Sequence, residues 1–256
     1  MTALPVPADL AHLVAGSWAL DGDAVPRGLP HPAVDLLVMP DGEYRLAGPE
    51  TRVRQGPLPG GGPLVGVRLR PGTVTGLFGV AADEVPLSGA PIEAGTPAGW
   101  PIEVGRPAGA VGERLAGALA LVRARAGRCR VDERVRVVLA AMHAAPGAPV
   151  EQHAARAGLS ERQLRRRFGV AVGLRPKSYA RVVRLHHALA AARAAVARGE
   201  RPDWAAIAVR SGCYDQSHLL AEFRHAVGAP PTALLAGWPF SPSRDQPGLT
   251  HSAHDR

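Results

Sequence analysis

Apolar residues recur along this chain with two different periods. Over residues 1–108 the period is close to two. Val34-Asp35-Leu36-Leu37-Val38-Met39 is a β-rich apolar run closed by Pro40-Asp41-Gly42, a strong turn signal. Tyr44-Arg45-Leu46 and Thr51-Arg52-Val53-Arg54 alternate apolar with polar positions, as half-buried strands do. A Gly/Pro loop over 55–63 separates them from Leu64-Val65-Gly66-Val67-Arg68-Leu69-Arg70, which alternates again and stops at Pro71-Gly72. Val74, Leu77 and Phe78 fall at i, i+3 and i+4 and predict a short helix over 73–80. Residues 86–109 are rich in Pro and Gly and have no clear period. This half reads as a small β-rich domain over 1–108.

From Ala108 the period becomes helical. Val111, Leu115, Ala118, Leu119 and Val122 predict a connecting helix over 109–128, ending near Gly127. Val135, Val138, Leu139 and Met142 make one face of the next helix, closed by Pro146-Gly147. An internal repeat with a period of roughly 54 residues follows. Ala154, Gly158, Leu164 and Phe168 of the first copy answer to Ala208, Gly212, Leu219 and Phe223 of the second. Each copy predicts a short helix, a Gly-containing turn, an N-cap and a second helix. The caps are Ser160 and Asp215, whose side chains accept from the free N–H groups of a first helical turn. The glycines allow the positive φ needed where the first helix ends. This is the physical content of a helix-turn-helix. Between the copies, Val182, Leu185, Leu189, Ala192 and Val196 step by 3, 4, 3 and 4, one apolar seam on a linker helix between Arg175-Pro176 and Gly199. Such a helix is roughly 30 Å long, close to the ~34 Å between major-groove segments on one face of B-DNA. Residues 239–256 read as a disordered tail. The fold class is α+β: a β-rich N-terminal domain, then an all-α domain over 129–238 with two helix-turn-helix motifs joined by a linker helix.

The charge balance sharpens this division. The chain of 256 residues carries 30 Lys and Arg against 22 Asp and Glu, a net +8. Residues 129–238 hold 17 basic and 8 acidic residues, a net +9, which leaves −1 for everything else. Genome bias toward Arg should act on both halves alike, so a positive excess confined to one block points to a polyanion partner. With 46% apolar residues the chain can build real cores. No apolar run is long enough to span a membrane, and the N-terminus is a poor signal peptide. A soluble, cytoplasmic protein is expected. Two cysteines, Cys129 and Cys213, make neither a disulfide framework nor a four-ligand zinc site by themselves.

The stretch IAVRSGCYDQSHLLAEFRHAVGAPPTAL closely resembles the C-terminal signature of the AraC/XylS family of bacterial transcription regulators. LSERQLRRRFGVAVGLRPKSYARVVRLHHAL is similar to that family's first helix-turn-helix and linker helix. The resemblance covers residues 130–238. It implies two helix-turn-helix units and a first recognition helix that makes most base contacts. Residues 1–108, through Asp35-Leu36-Leu37 and Val67-Arg68-Leu69-Arg70-Pro71-Gly72, resemble more weakly a domain attached to this family. Such a domain is expected to bind an effector or mediate dimerisation. Cys213 stands where the family usually has Phe, and Ala221 where it usually has Arg; with Glu222 nearby, the second head should be the weaker one.

Position on the helix supplies the site residues. After the Ser160 cap, Arg162, Arg165 and Arg166 project away from Leu164 and Phe168, and Arg is the commonest bidentate reader of guanine. Gln216, Ser217 and Leu220 take the outward positions after Asp215. Arg156, Arg167, Arg175 and Lys177 are expected on phosphate. The expected partner is double-stranded DNA; RNA polymerase, a small-molecule effector and a second copy of the chain are further candidates. No cofactor, metal site or catalytic residue is expected: His186-His187 do not share a helix face, and Gly60-Gly61-Gly62 lacks the Lys-Ser/Thr of a phosphate loop. Asp35 and Arg68 could line an effector pocket, but a surface salt bridge or strand-edge role is the commoner reading. Two other functions compete: a repair or other enzyme fused to a DNA-binding domain, which would need an activated Cys, and a sequence-tolerant architectural DNA binder.

Overall fold

The computed structural model describes residues 2–20, 29–53, 63–87, 90–91 and 109–236. Six antiparallel strands form one sheet: β1 (Thr2–Leu4), β2 (Val14–Leu20), β3 (Asp35–Val38), β4 (Tyr44–Ala47), β5 (Leu64–Leu69) and β6 (Ala90–Pro91), in spatial order β1-β2-β5-β3-β4-β6. Alternation along the strands sorts side chains to two faces. Leu36, Val38, Val65, Val67 and Leu69 point one way, into a core completed by α1 (Val74–Phe78) and α2 (Val111–Ala126). Trp18, Leu20, Leu37, Met39 and Leu64 pack on the other face. Gly66 lets the Trp18 indole lie against the sheet, since a Cβ there would come 2.1 Å from the ring.

The predicted connecting helix thus has a second role: Leu115, Ala118, Leu119 and Val122 are part of the sheet's own core. β1 and β2 were not anticipated. The strand expected over Thr51–Arg54 does not form at the described positions. Val53 donates its N–H instead to the Ala226 carbonyl, 2.7 Å away at a helix end far along the chain. The loop expected over 55–63 falls almost wholly outside the described residues, as does the tail over 239–256.

The helical part contains α3 (Glu133–Ala144), α4 (Val150–Arg156), α5 (Glu161–Val172), α6 (Pro176–Ala197), α7 (Trp204–Arg210), α8 (Gln216–Val227) and α9 (Pro231–Leu235). Two cores share α6. Tyr179 and Val183 join Leu164, Phe168 and the α3 face in the first. Leu185, Ala188, Leu189 and Ala192 join Ile207, Leu219 and Phe223 in the second. Both repeat copies therefore pack on one helix, as the 3, 4 seam predicts, except at Val196, which is 51% exposed in the last turn.

Candidate nucleic-acid interface

The two halves of the repeat form helix–turn–helix units α4–α5 and α7–α8. Gly158 and Gly212 close the first helix of each at φ +62° and +84°, the left-handed region that glycine enters at no steric cost. Ser160 caps α5 in a capping box: its Oγ accepts from the Gln163 N–H at 3.3 Å, and Gln163 Oε1 accepts from the Ser160 N–H at 2.9 Å. Asp215 caps α8 by accepting from the His218 N–H at 2.7 Å. His218 Nδ1 in turn accepts from the Tyr214 N–H at 3.2 Å, which ties the turn to the helix it introduces.

Leu164, Phe168, Ala171 and Val172 turn α5 into the core, and Arg162, Arg165, Arg166 and Arg167 are all left exposed. They are not equivalent. Arg162 and Arg166 have no ion-pair partner among the described residues. Arg165 pairs with Glu161 one turn back on the same helix. Arg167 reaches Asp132, the N-cap of α3, at 2.7 Å, and the pairing holds that carboxyl below its usual range against the opposing effect of burial. Arg156, Arg175 and Lys177 are exposed around the same unit, Arg175 being the residue that precedes Pro176 at the start of α6.

In the second unit Gln216 and Ser217 are exposed and Leu220 is half-buried. Glu222 corrects the sequence reading. Its side chain is 7% exposed and points inward, where two Arg184 nitrogens donate to it, one at 3.1 Å. The His218 ring lies 3.4 Å away and the Cys213 thiol 3.8 Å. Its charge is compensated inside the unit and does not face solvent. Cys213 takes part in this core, 5% exposed. Burial, then the Glu222 carboxylate, pushes its thiol up to about 11, and burial raises Cys129 as well. Neither sulfur is an activated nucleophile of the kind the repair-enzyme reading needs.

Two exposed residues of the second unit were not singled out in sequence. Tyr214 is 88% exposed beside the Asp215 cap. Arg224 is exposed and follows Ser217 and Leu220 on one helical stripe. It stands nine residues after its cap, where the first unit has Gly169.

The N-terminal half touches all three helices that build the site. The Thr75 hydroxyl donates to the Val170 carbonyl of α5 at 3.0 Å. His186 of α6 donates its Nε2–H to the Pro30 carbonyl at 2.7 Å. At the end of α8, Val53 meets Ala226, and the Arg52 guanidinium lies 3.1 Å from the His225 ring. Behind Pro30 is a buried polar cluster. Arg68 donates twice to Asp35, both at 3.0 Å, and His31 sits 3.4 Å from the same carboxylate. Asp35 is 4% exposed and pairs Arg68 across the central strands β3 and β5, so it makes neither a surface nor an edge salt bridge. Burial works to raise its pKa, but Arg68 and His31 hold it below the usual carboxylate range.

Among the described residues no group of three or more His, Cys, Asp or Glu could hold a metal ion. No described helix is long and apolar enough to cross a membrane. Residues 153–237 match the family model of a helix-turn-helix domain, and residues 2–86 match a domain of unknown function, DUF6597. No curated protein and no solved structure matches the chain.

Proposed function

We propose a mode of action for a chain that is, by its AraC-type helix-turn-helix and its AraC-associated N-terminal domain, an AraC-family DNA-binding transcription regulator. It reads promoter DNA with two heads, and its N-terminal domain controls how they are presented. The observation that carries the reading is a pair of capped, solvent-facing helices, α5 and α8, packed on one helix. The 22 residues of α6 span about 33 Å, which suits successive major-groove segments ~34 Å apart.

The roles follow from what each side chain already does. Arg162 and Arg166 have their donors available for guanine O6 and N7. Arg165 reaches a base by leaving Glu161, an exposed helical pair worth only ~0.3–0.5 kcal/mol. Arg167 reaches phosphate only by leaving Asp132. Arg156, Arg175 and Lys177 supply phosphate contacts and the salt-sensitive share of affinity. Gln216 and Ser217 offer neutral hydrogen-bonding groups, and Leu220 a contact for a thymine methyl. Control works by differential affinity: an effector, a second copy of the chain or RNA polymerase binds one arrangement of sheet and heads better than another.

Duplexes selected by the full chain from a random library test this. Arg166→Ala should lose ~1–3 kcal/mol on the selected duplex and relax one base position. Arg175→Ala should weaken selected and random duplexes alike and lower the salt slope by about 1. Equal wild-type affinity for both pools would leave a sequence-tolerant binder, and no binding at low salt would overturn the DNA reading.

A further inference from the structure

The two heads also differ at the ninth residue after the cap. In α8 this is Arg224, a cation open to solvent; in α5 it is Gly169, which has no side chain. The space beyond Gly169 is taken by an acid from the other half of the molecule: a Cβ built there would come 3.1 Å from Asp83 Oδ2. Asp83 belongs to a 3-10 turn, Ala82–Glu84, whose two acidic residues are both exposed. The turn is seated by backbone contact, since a Cβ at Gly173, where α5 ends at φ +79°, would lie 2.6 Å from the Ala82 carbonyl oxygen. Thr75, donating to Val170, fixes the same corner.

Gly169 lies on the reading stripe, seven residues after Arg162 and three after Arg166. The Asp83 carboxylate therefore sits beside the surface α5 would turn toward DNA, about 4.5 Å further along the axis than Arg166. Neither Asp83 nor Glu84 has an ion-pair partner among the described residues. The Asp83 carboxylate also stands beside the last turn of α5, where the helix dipole disfavours negative charge. Packing of α5 on this turn thus sets the Asp83 charge about 4.5 Å along the axis from Arg166 and about 10 Å from Arg162, the range of a Debye length of ~8 Å at physiological salt, with Glu84 next to it in the turn.

We propose that Asp83 and Glu84 are an electrostatic brake on the first head, competing with DNA phosphate for the field of the α5 arginines. The inference rests on the DNA-binding reading above and adds the route by which the N-terminal domain acts on it. Any event that lifts the turn from Gly169 and Gly173 would raise affinity without a new DNA contact.

The test uses the full chain carrying Asp83→Asn and Glu84→Gln, which keep side-chain shape and remove charge. Binding to a wild-type-selected duplex and to a random duplex is titrated from low to high salt. A unit charge about 8 Å from another shifts an equilibrium by about 2- to 30-fold, depending on screening. At low salt the double variant should bind both duplexes at least threefold tighter, a gain that fades as salt screens the charges. Asp83→Lys with Glu84→Lys should gain more. Equal affinity of wild type and both variants at low salt overturns the inference, as does a gain undiminished at high salt. If no form of the chain binds any duplex at low salt, the DNA-binding reading fails first and takes the brake with it.

Discussion

Replacing Glu222 by alanine removes the carboxylate that holds α8 onto α6. Arg184 donates to it with two nitrogens and also donates from Nη1 to the Pro146 carbonyl at 3.0 Å. The two side chains are 14% and 7% exposed, far from the exposed pairs that contribute ~0–1 kcal/mol. Burial alone would lower the Arg184 pKa, yet its bonds to Glu222 raise it on balance. Breaking a buried pair by removing one partner costs about 3–5 kcal/mol, because the other charge stays buried. Since Pro146 still accepts from Arg184, the lower end, about 3 kcal/mol, is expected. Arg181, 3.8 Å from Glu222 and 42% exposed, adds little. Urea unfolding of Glu222→Ala measures the loss, and hydrogen exchange should place it in α7 and α8 rather than in the sheet. Arg184→Met with Glu222→Leu should recover most of it, since an apolar pair of similar volume leaves no orphaned charge. A loss below 1 kcal/mol for Glu222→Ala, or a double variant as unstable as the single one, would refute the reasoning.

Two further outcomes follow from the contact between the halves. Burial pushes His31 down to about 3 and His186 down to about 4, so both stay neutral in the folded chain at pH values where the unfolded chain protonates them. Their contribution is complete above pH ~6.5 and is lost as pH falls toward 4 for His186 and 3 for His31, at about 1.4 kcal/mol per pH unit for each. Thermal melts from pH 7.5 to 5 should show this decline, and His186→Gln should make it shallower; an unchanged slope would show that His186 does not titrate as described. Val53→Pro deletes the N–H that satisfies a carbonyl in the last turn of α8 and should cost ~1–3 kcal/mol, with faster exchange near Ala226 and none of the loss at α5.

What could be read from the chain, and what could not, divides by range. The caps Ser160 and Asp215, the closing glycines and the α6 seam are signals in which a residue and its partners lie within a few positions, and each reappears as a bond or a buried face. Glu222 is different. It lies between Leu219 and Ala226 on the edge of the buried stripe, so its placement was legible in the period, but the compensation of its charge depends on Arg184, 38 residues away. Val53 alternates like a strand residue, yet its donor goes to a helix end; a period of two says that one side is buried and not what buries it. Asp35 and Arg68 were recognised as a pair, but their burial depends on strand order, and β3 lies inside the sheet because β5 pairs with it on one side and β4 on the other.

The same distinction explains how a bulk charge becomes a directional one. Several acids of the basic block are spent on structural arginines: Glu133 on Arg136, Asp132 on Arg167, Glu222 on Arg184 and Glu200 on Arg198. What they leave uncompensated at the first head is Arg162 and Arg166, with Arg156, Arg175 and Lys177 around them. The second head presents neutral Gln216 and Ser217 first and one arginine, Arg224, further along. Fields from the first head should therefore dominate capture of DNA, and contacts at the second should fix register along the groove. The N-terminal half meets the heads with opposite charge, Asp83 at α5 and Arg52 at α8. On the control proposed above, a shift of the sheet relative to α6 would change the stronger head through electrostatics and the weaker one through geometry. A small displacement suffices for that control, because the acid at Gly169 lies about one helical turn from Arg166 and about two from Arg162.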